Sequence, residues 1–233
     1  MALSSDKALI YLTGKSVQVL FPQRKINLSY TFPTETVLYG EIVNEKLLRE
    51  KLTEFFNIPS LKGKAVIVLS NDLIFGGTTQ DKEGKKEIVE QFLNYVPLNH
   101  TAMAKHIVET DKMLYVFATN STFYILVKSI VESYGLEILS VVPLAVFINQ
   151  PQVASITEQQ ALEILQQDHA LQMYSFLSDN NLAQNNHAVP ANQSVSQPIE
   201  KKENSNKQYV FLAVVFLIFL VSLFVALTNF GVV

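Results

Sequence analysis

The feature that most constrains this chain is an unbroken apolar run from Val210 to Leu227, whose only polar member is Ser222. As a helix rising about 1.5 Å per residue, the run spans roughly 27 Å, close to the bilayer hydrocarbon core of about 30 Å. A helix bonds its own backbone amides, which lipid requires. An apolar helix can instead be buried in a large core, but no other part of this chain could enclose it. The sequence therefore predicts a transmembrane helix over residues 209–230.

The charges beside this run predict its orientation. Lys201, Lys202 and Lys207 precede it, and no charged residue follows it. The positive-inside rule then places the N-terminal side in the cytoplasm, and no signal peptide is predicted. We expect a single-pass, tail-anchored protein of the inner (cytoplasmic) membrane with a cytoplasmic N-terminus. The residues expected to form the anchor are Tyr209, Val210, Phe211, Leu212, Leu217, Leu220, Phe224 and Leu227.

Residues 178–208 are rich in Asn, Gln and Ser, and their apolar residues are isolated. Such a segment cannot bury enough surface to offset its ordering entropy, so it is predicted to be a flexible linker. Its reach of roughly 30 Å raises the effective concentration of the attached domain for partners in the membrane. The alternative is a binding motif that folds on contact with a partner.

The composition excludes several classes of function. The net charge is −3 and no basic stripe is present, so no nucleic-acid partner is expected. The absence of cysteine excludes disulfides, thiolate metal sites and cysteine nucleophiles. His100, His106, His169 and His187 lack metal-ligand spacing, so no metal site is predicted. With no serine-nucleophile motif either, we expect no catalytic residue and no cofactor, and hence not an enzyme.

Apolar patterning predicts a mixed α/β domain over residues 1–150. Strands are predicted at Ala8–Leu12, Ser16–Phe21, Lys25–Phe32, Ala65–Leu69, Leu73–Phe75, Ala104–Val108, Met113–Ala118 and Glu137–Val142. Helices are predicted between Asn44 and Pro59, between Gly84 and Pro97, from Ser121 to Tyr134, and briefly after Pro143. A capping box at Thr157–Gln160 predicts an accessory helix within residues 151–177, reaching about Leu177. Its less regular apolar spacing indicates loose packing or a partner surface.

Two stretches match phosphate-binding loops only in part. Thr13–Ser16 matches the end of a P-loop, but the first glycine of that motif falls at Leu9, and a strand follows where a helix is needed. A tight hairpin turn is therefore predicted. Gly76–Thr79 is predicted to be a strand-end turn rather than an anion-binding nest, because no second element of a nucleotide site accompanies it.

The order of elements from Ala8 to Ile148 resembles the first half of PilM, the actin-like inner-membrane component of type IV pilus systems. It is also similar to the cytoplasmic domain of the type II secretion protein GspL and, more distantly, to the division protein FtsA. The segments that carry the resemblance are Ile10–Val19, Gly40–Asn44, Ala65–Leu69, Tyr95–Leu98, Leu114–Ala118, Tyr134–Leu139 and Val142–Phe147. The resemblance implies a truncated actin-like, ribonuclease H-like half domain with an inserted strand–helix subdomain.

The opening hairpin departs from the family pattern. Actin-like ATPases carry Asp-x-Gly-Thr/Ser at the first strand, whereas this chain has Tyr11 at the Asp position and Thr13 at the Gly position. The carboxylate and the close backbone approach are both missing, so ATP is not implied as a cofactor. The chain also differs from PilM in having its own predicted membrane helix, as GspL does.

The resemblance implies a scaffold or adaptor of a type IV pilus or type II secretion-like assembly platform, acting by protein–protein contacts at the cytoplasmic face. Implied partners are the membrane and a PilN-like protein or an assembly ATPase, with a second copy of the chain as a further candidate. The implied docking residues are Phe92, Tyr95, Pro97 and Leu98; alternatively, Phe92 and Val96 are simply core. Two other functions stay open: a membrane adaptor in cell division or envelope organisation, and a degenerate actin-like nucleotide-binding protein.

Overall fold

The computed structural model describes residues 6–59, 61–80, 84–148 and 153–177. Its strands are β1 (Lys7–Leu12), β2 (Ser16–Phe21), β3 (Ile26–Thr31), β4 (Val37–Leu38), β5 (Glu41–Ile42), β6 (Gly63–Leu69), β7 (Ile74–Thr79), β8 (Met103–Glu109), β9 (Leu114–Asn120) and β10 (Leu136–Pro143). Its helices are α1 (Glu45–Phe56), α2 (Lys85–Tyr95), α3 (Ser121–Ser133), α4 (Glu158–Leu165) and α5 (Asp168–Met173). The predicted linker and membrane span lie outside the described residues. Among those described, no helix is long and apolar enough to cross a membrane.

Five strands form the main sheet, in the spatial order β10–β6–β1–β2–β3. β2 is antiparallel to both of its neighbours, whereas β1, β6 and β10 are parallel. The central strands are buried on both faces over Ala8–Leu12 and Ala65–Leu69, which explains their continuously apolar sequences. β3 alternates between half-buried and exposed residues, because only one of its faces meets the core. The predicted positions of these strands are confirmed.

Helices α1 and α3 cover one face of the main sheet. Asn44 caps α1 by accepting the amide of Leu47 at 3.1 Å, as predicted. α3 ends at Ser133, and Gly135 follows with a φ of 91°, a left-handed conformation that suits glycine. The core between these helices and the sheet includes Ile10, Leu12, Leu48, Leu52, Phe56, Ile67, Phe123, Val127 and Val131.

Residues 153–177 form the covering segment, which packs on the opposite face of the sheet from Ile156 to Leu171. The capping box at Thr157 is confirmed, but the prediction of one helix reaching Leu177 is wrong. The helix ends at Leu165, and α5 begins at Asp168, whose carboxylate pairs with Lys7 of β1 at 2.6 Å. Between the two helices the Gln167 amide bonds the carbonyl of Ile164, three residues back, so the α-helical bonding pattern is interrupted there. The packing is not loose, because Ile156, Ala161, Ile164 and Leu171 are buried over Leu9, Tyr11, Val66 and Val68.

The end of the covering segment contacts the main sheet and also the second sheet, the three-stranded one that contains β8. Phe176 donates its amide to the carbonyl of Val141 in β10 at 2.8 Å. The Ser175 hydroxyl accepts the amide of Val141 at 3.3 Å. On the other side, Nε2 of His106 in β8 bonds the carbonyl of Met173 at 2.8 Å. The segment therefore links the main sheet to the second sheet.

Strands β7, β9 and β8 form the second, antiparallel sheet, which lies between β6 and β10 in the chain and carries α2. The prediction of a turn at Gly76–Thr79 is wrong, because these residues are inside β7 and paired with β9. Gly76 lies under the Phe117 ring and Gly77 under the Phe92 ring; a Cβ atom would be 3.3 Å and 3.1 Å from them. The glycines thus serve close ring packing rather than a turn.

Candidate functional site

The turn between β1 and β2, which matches the end of a P-loop only in part, has its amides hydrogen-bonded within the protein. Gly14 donates to the Asp72 carboxylate at 2.9 Å. Lys15 and Ser16 donate to the Thr13 hydroxyl at 3.0 and 2.8 Å, and Thr13 donates to the Ser16 carbonyl at 2.9 Å. A phosphate site needs amides that are open to the ligand. The predicted hairpin is therefore confirmed, and its turn is closed by its own bonds.

Asp72 places a carboxylate where an incoming anion would lie. It belongs to a short 3₁₀ turn, Asn71–Leu73, after β6, and it accepts the Ser70 hydroxyl as well as the Gly14 amide. Within the part of the chain that the structure describes, neither Asp72 nor Lys15 forms an ion pair. The site therefore keeps a negative charge without a paired cation.

Tyr11 of β1 is part of the core. Its ring is 1% exposed and packs under the covering segment. The hydroxyl donates to the carbonyl of Val153 at 2.5 Å, which fixes the start of that segment. Burial, and after it the charge of Asp72, raise the pKa of the Tyr11 hydroxyl to about 12, against an opposing hydrogen bond from Ser70. Tyr11 is thus a neutral anchor and not a metal ligand.

These groups surround an opening of about 470 Å³, the hairpin cleft. Its walls come from the β1–β2 turn, the β4–β5 hairpin, the turn after β6 and the start of the covering segment. The lining residues are Thr13, Gly14, Lys15, Ser16, Tyr39, Ser70, Asn71, Asp72, Val153 and Ala154. Over the described ranges, no three His, Asp or Glu side chains are grouped as metal ligands.

Tyr39 places its aromatic ring at this cleft, although its backbone conformation is unfavourable in free energy. Tyr39 and Gly40 join β4 to β5 with φ values of 52° and 79°. Two-residue turns with positive φ favour Asn and Gly, and a tyrosine there costs on the order of 1 kcal/mol. The Tyr39 side chain is nevertheless 90% exposed. Gly40 touches Gly14, since a Cβ on Gly14 would lie 3.2 Å from the Gly40 Cα. Sequence reasoning missed this hairpin because Tyr-Gly is not a typical turn pair.

The four residues predicted to bind a partner occupy different environments. Phe92 is half-buried against Gly77, and Val96 is buried in the core of the second sheet. Tyr95 is 87% exposed at the end of α2, and Pro97 is exposed. Leu98 lines an opening of about 250 Å³, the docking groove, together with Glu41, Ile42, Asn99, Ala102, Asn120 and Thr122. Among the four, the structure places Leu98 in a groove with residues that the sequence did not single out.

The docking groove combines apolar and hydrogen-bonding groups. Ile42, Leu98 and Ala102 supply apolar surface, and Glu41 supplies its charge. The side-chain oxygen of Asn99 accepts the amide and hydroxyl of Thr101 at 3.0 and 2.9 Å. The side-chain oxygen of Asn120 likewise accepts the amide of Thr122 at 3.1 Å. Each carboxamide thus directs its oxygen to its own backbone and keeps an NH₂ group for a ligand.

Comparisons with known proteins give structural matches. No protein-family model and no curated protein matches the chain. It is similar to a PilM–PilN type IV pilus biogenesis complex, with a TM-score of 0.42 and 14% identity over 60% of this chain. It is also similar to the cytoplasmic domain of EpsL, an inner-membrane component of the Vibrio cholerae type II secretion system, with a TM-score of 0.37 and 11% identity over 63% of the chain.

A third similar structure is a Bacteroides thetaiotaomicron protein with an actin-like ATPase fold and unknown function, at a TM-score of 0.35 and 8% identity over 59% of this chain. The chain covers 47%, 60% and 54% of the three matched chains, or about half of their length. These structures include the pilus and type II secretion components that the order of elements resembles.

Proposed function

We propose that this chain is a non-enzymatic scaffold of a type IV pilus or type II secretion-like assembly platform, anchored in the inner membrane and acting through protein contacts. The observation that carries the proposal is the closed β1–β2 turn. Its amides are bonded internally, and the Asp72 carboxylate takes the place of a ligand anion. The order of elements, which resembles PilM and GspL, supports the pilus or secretion setting.

Electrostatics argues against a triphosphate in the hairpin cleft. A phosphate charge about 4 Å from the Asp72 carboxylate is repelled by roughly 4 kcal/mol at the effective dielectric constant near a protein surface. The Gly14 amide would also have to give up its bond to Asp72. Tyr11 offers a buried hydroxyl where a carboxylate would hold a metal ion. These three features together favour a binding role over nucleotide hydrolysis.

The docking groove is the place that we propose for a partner's peptide. Its apolar residues suit an apolar anchor side chain, and the NH₂ groups of Asn99 and Asn120 suit peptide carbonyls. Glu41 favours a peptide with a basic residue. A PilN-like protein is the first partner to test, because the resemblance to PilM implies such a partner.

We further propose that the apolar run Val210–Leu227 anchors the chain, with the domain on the cytoplasmic face. The lysines before the run support this orientation. Protease added outside intact cells should leave the protein at its full length. Loss of the domain under that treatment would contradict the orientation.

The proposal is tested by capturing the full-length chain from membranes and identifying the co-purified proteins. We expect pilus or secretion components to be recovered. Glu41→Lys should reduce their recovery severalfold, because it reverses the charge of the groove, while Glu50→Lys, a matched exposed change on α1, should not. Recovery of no pilus or secretion component, or equal effects of the two variants, would count against the proposal.

A further inference from the structure

The hairpin cleft has a chemistry of its own, separate from the docking groove. Asp72 accepts hydrogen bonds from the Gly14 amide and the Ser70 hydroxyl, and within the described residues it forms no ion pair. A carboxylate fixed at the wall of an open cleft attracts a cation and repels an anion. The closed turn removes the amides that would otherwise favour an anion.

An aromatic ring shares this cleft with the carboxylate. Tyr39 is 90% exposed and is held at the cleft by a left-handed backbone. An aromatic residue is unusual at such a position, because the left-handed backbone costs free energy and the exposed ring gains little from burial. The face of a tyrosine ring attracts a cation, arginine more often than lysine. Strain at an exposed aromatic residue is therefore accounted for if the ring serves a ligand.

We propose that the hairpin cleft binds a cationic side chain, arginine or lysine, presented by another protein, with Asp72 as its counter-ion and the Tyr39 ring against it. Val153 and Ala154 give the cleft an apolar wall for the methylene stem of such a side chain. Lys15 also lines the cleft, and its own charge opposes the incoming cation. Removing the charge of Lys15 should therefore raise the affinity for a cation, whereas removing the charge of Asp72 should lower it.

The test titrates the full-length chain in detergent with N-acetyl-L-arginine amide. The uncharged isostere N-acetyl-L-citrulline amide is the matched control probe. Thr13-Gly14 is the chain's single Thr-Gly pair. Labelling Thr carbonyl carbon and Gly nitrogen therefore isolates one NMR signal, that of the Gly14 amide bonded to Asp72. We expect this signal to shift saturably with the arginine probe and not with the citrulline probe.

Three variants test the direction and the size of each residue's effect on the affinity for the arginine probe. Asp72→Asn keeps an oxygen for the Gly14 amide but loses the charge, and should weaken binding about fivefold to tenfold. Tyr39→Ser should weaken it about twofold to fivefold. Lys15→Gln should strengthen it about twofold. These readouts use small probes and no partner protein, so they stand or fall separately from the membrane capture of pilus or secretion components.

Three results would each overturn the inference. Equal shifts with the arginine and citrulline probes would show that the cleft does not recognise charge. A shift of the Gly14 signal by inorganic tripolyphosphate, strengthened by Asp72→Asn, would show an anion site instead. Absence of any saturable shift in the wild-type chain and in Lys15→Gln would show that this class of ligand does not bind.

Discussion

Replacing Gln18 by leucine tests how firmly the covering segment is held on the main sheet. The Gln18 carboxamide donates to the carbonyl of Ile156 at 3.1 Å and accepts the Ile156 amide at 2.9 Å, as a neighbouring strand would. It also donates to the side-chain oxygen of Asn27 at 3.0 Å. Gln18 is only 7% exposed, so water replaces these bonds only if the segment moves.

The size of the effect follows from these contacts. Leucine has a similar volume, so Gln18→Leu chiefly removes the partners of the two buried main-chain groups of Ile156. Each group left unpaired costs about 1–3 kcal/mol, and the leucine recovers about 1–2 kcal/mol through burial. These terms leave a net loss of about 0–5 kcal/mol in the free energy of unfolding, and we expect a value near the centre, about 2–3 kcal/mol. That is a large share of the roughly 5–15 kcal/mol typical of a domain.

The assay is urea unfolding of the full-length chain in detergent, followed by far-ultraviolet circular dichroism. Asn27→Ala is the matched control, because it removes only the bond that Gln18 donates to the exposed Asn27 side chain and should cost under about 1 kcal/mol. If Gln18→Leu costs no more than Asn27→Ala, the carboxamide does not hold the main chain of Ile156, and the reasoning about the covering segment is refuted.

Two further predictions concern the second sheet. Burial lowers the pKa of His106 in the folded protein, so the unfolded chain binds a proton at this histidine at a higher pH than the folded chain does. The stability that the neutral, buried His106 provides is therefore complete above about pH 6.5 and is lost as the pH falls towards the lowered pKa. His106→Gln should therefore flatten the unfolding free energy between about pH 7.5 and about pH 5.5, and an unchanged profile would contradict this assignment. Gly77→Ala should cost about 1–3 kcal/mol, since its Cβ would lie 3.1 Å from two carbons of the Phe92 ring, and Gly76→Ala should cost less at 3.3 Å from Phe117. Equal costs in thermal unfolding would mean that ring packing does not explain the two glycines.

Much of the fold could be predicted because local pattern and burial agree. Ala8–Leu12 and Ala65–Leu69 are apolar at every position, and they form the central strands that are buried on both faces. The Asn44 cap and the glycine after α3 are local signals that the tertiary structure retains. These elements were predicted correctly because each one depends on residues within one short stretch of the sequence.

The elements that could not be predicted depend on distant partners. The helices on either side of the break before Asp168 bury Ile164 and Leu171 against the main sheet, whose strands are far away in the sequence. Gly76 and Gly77 suggested a turn because the rings that pack on them belong to other elements. A strand containing two adjacent glycines has no local signal that separates it from a loop.

For the candidate site, the sequence predicted only that the first turn is not a phosphate-binding loop. The missing P-loop glycine and the strand after Ser16 correctly indicated a hairpin turn. The bond from Gly14 to Asp72 joins two turns that are 58 residues apart in the sequence, so it leaves no local pattern there. The same holds for the docking groove, where Leu98 meets Glu41 and Asn120 from separate elements.

Calorimetric titration of the full-length chain with ATP and Mg²⁺ examines whether the closed turn excludes nucleotide. We expect only heats of dilution up to about millimolar ATP, because the Gly14 amide is bonded to Asp72 and the carboxylate repels phosphate. Saturable binding that Asp72→Asn strengthens would place the triphosphate in the hairpin cleft. That result would contradict a scaffold that works through protein contacts alone.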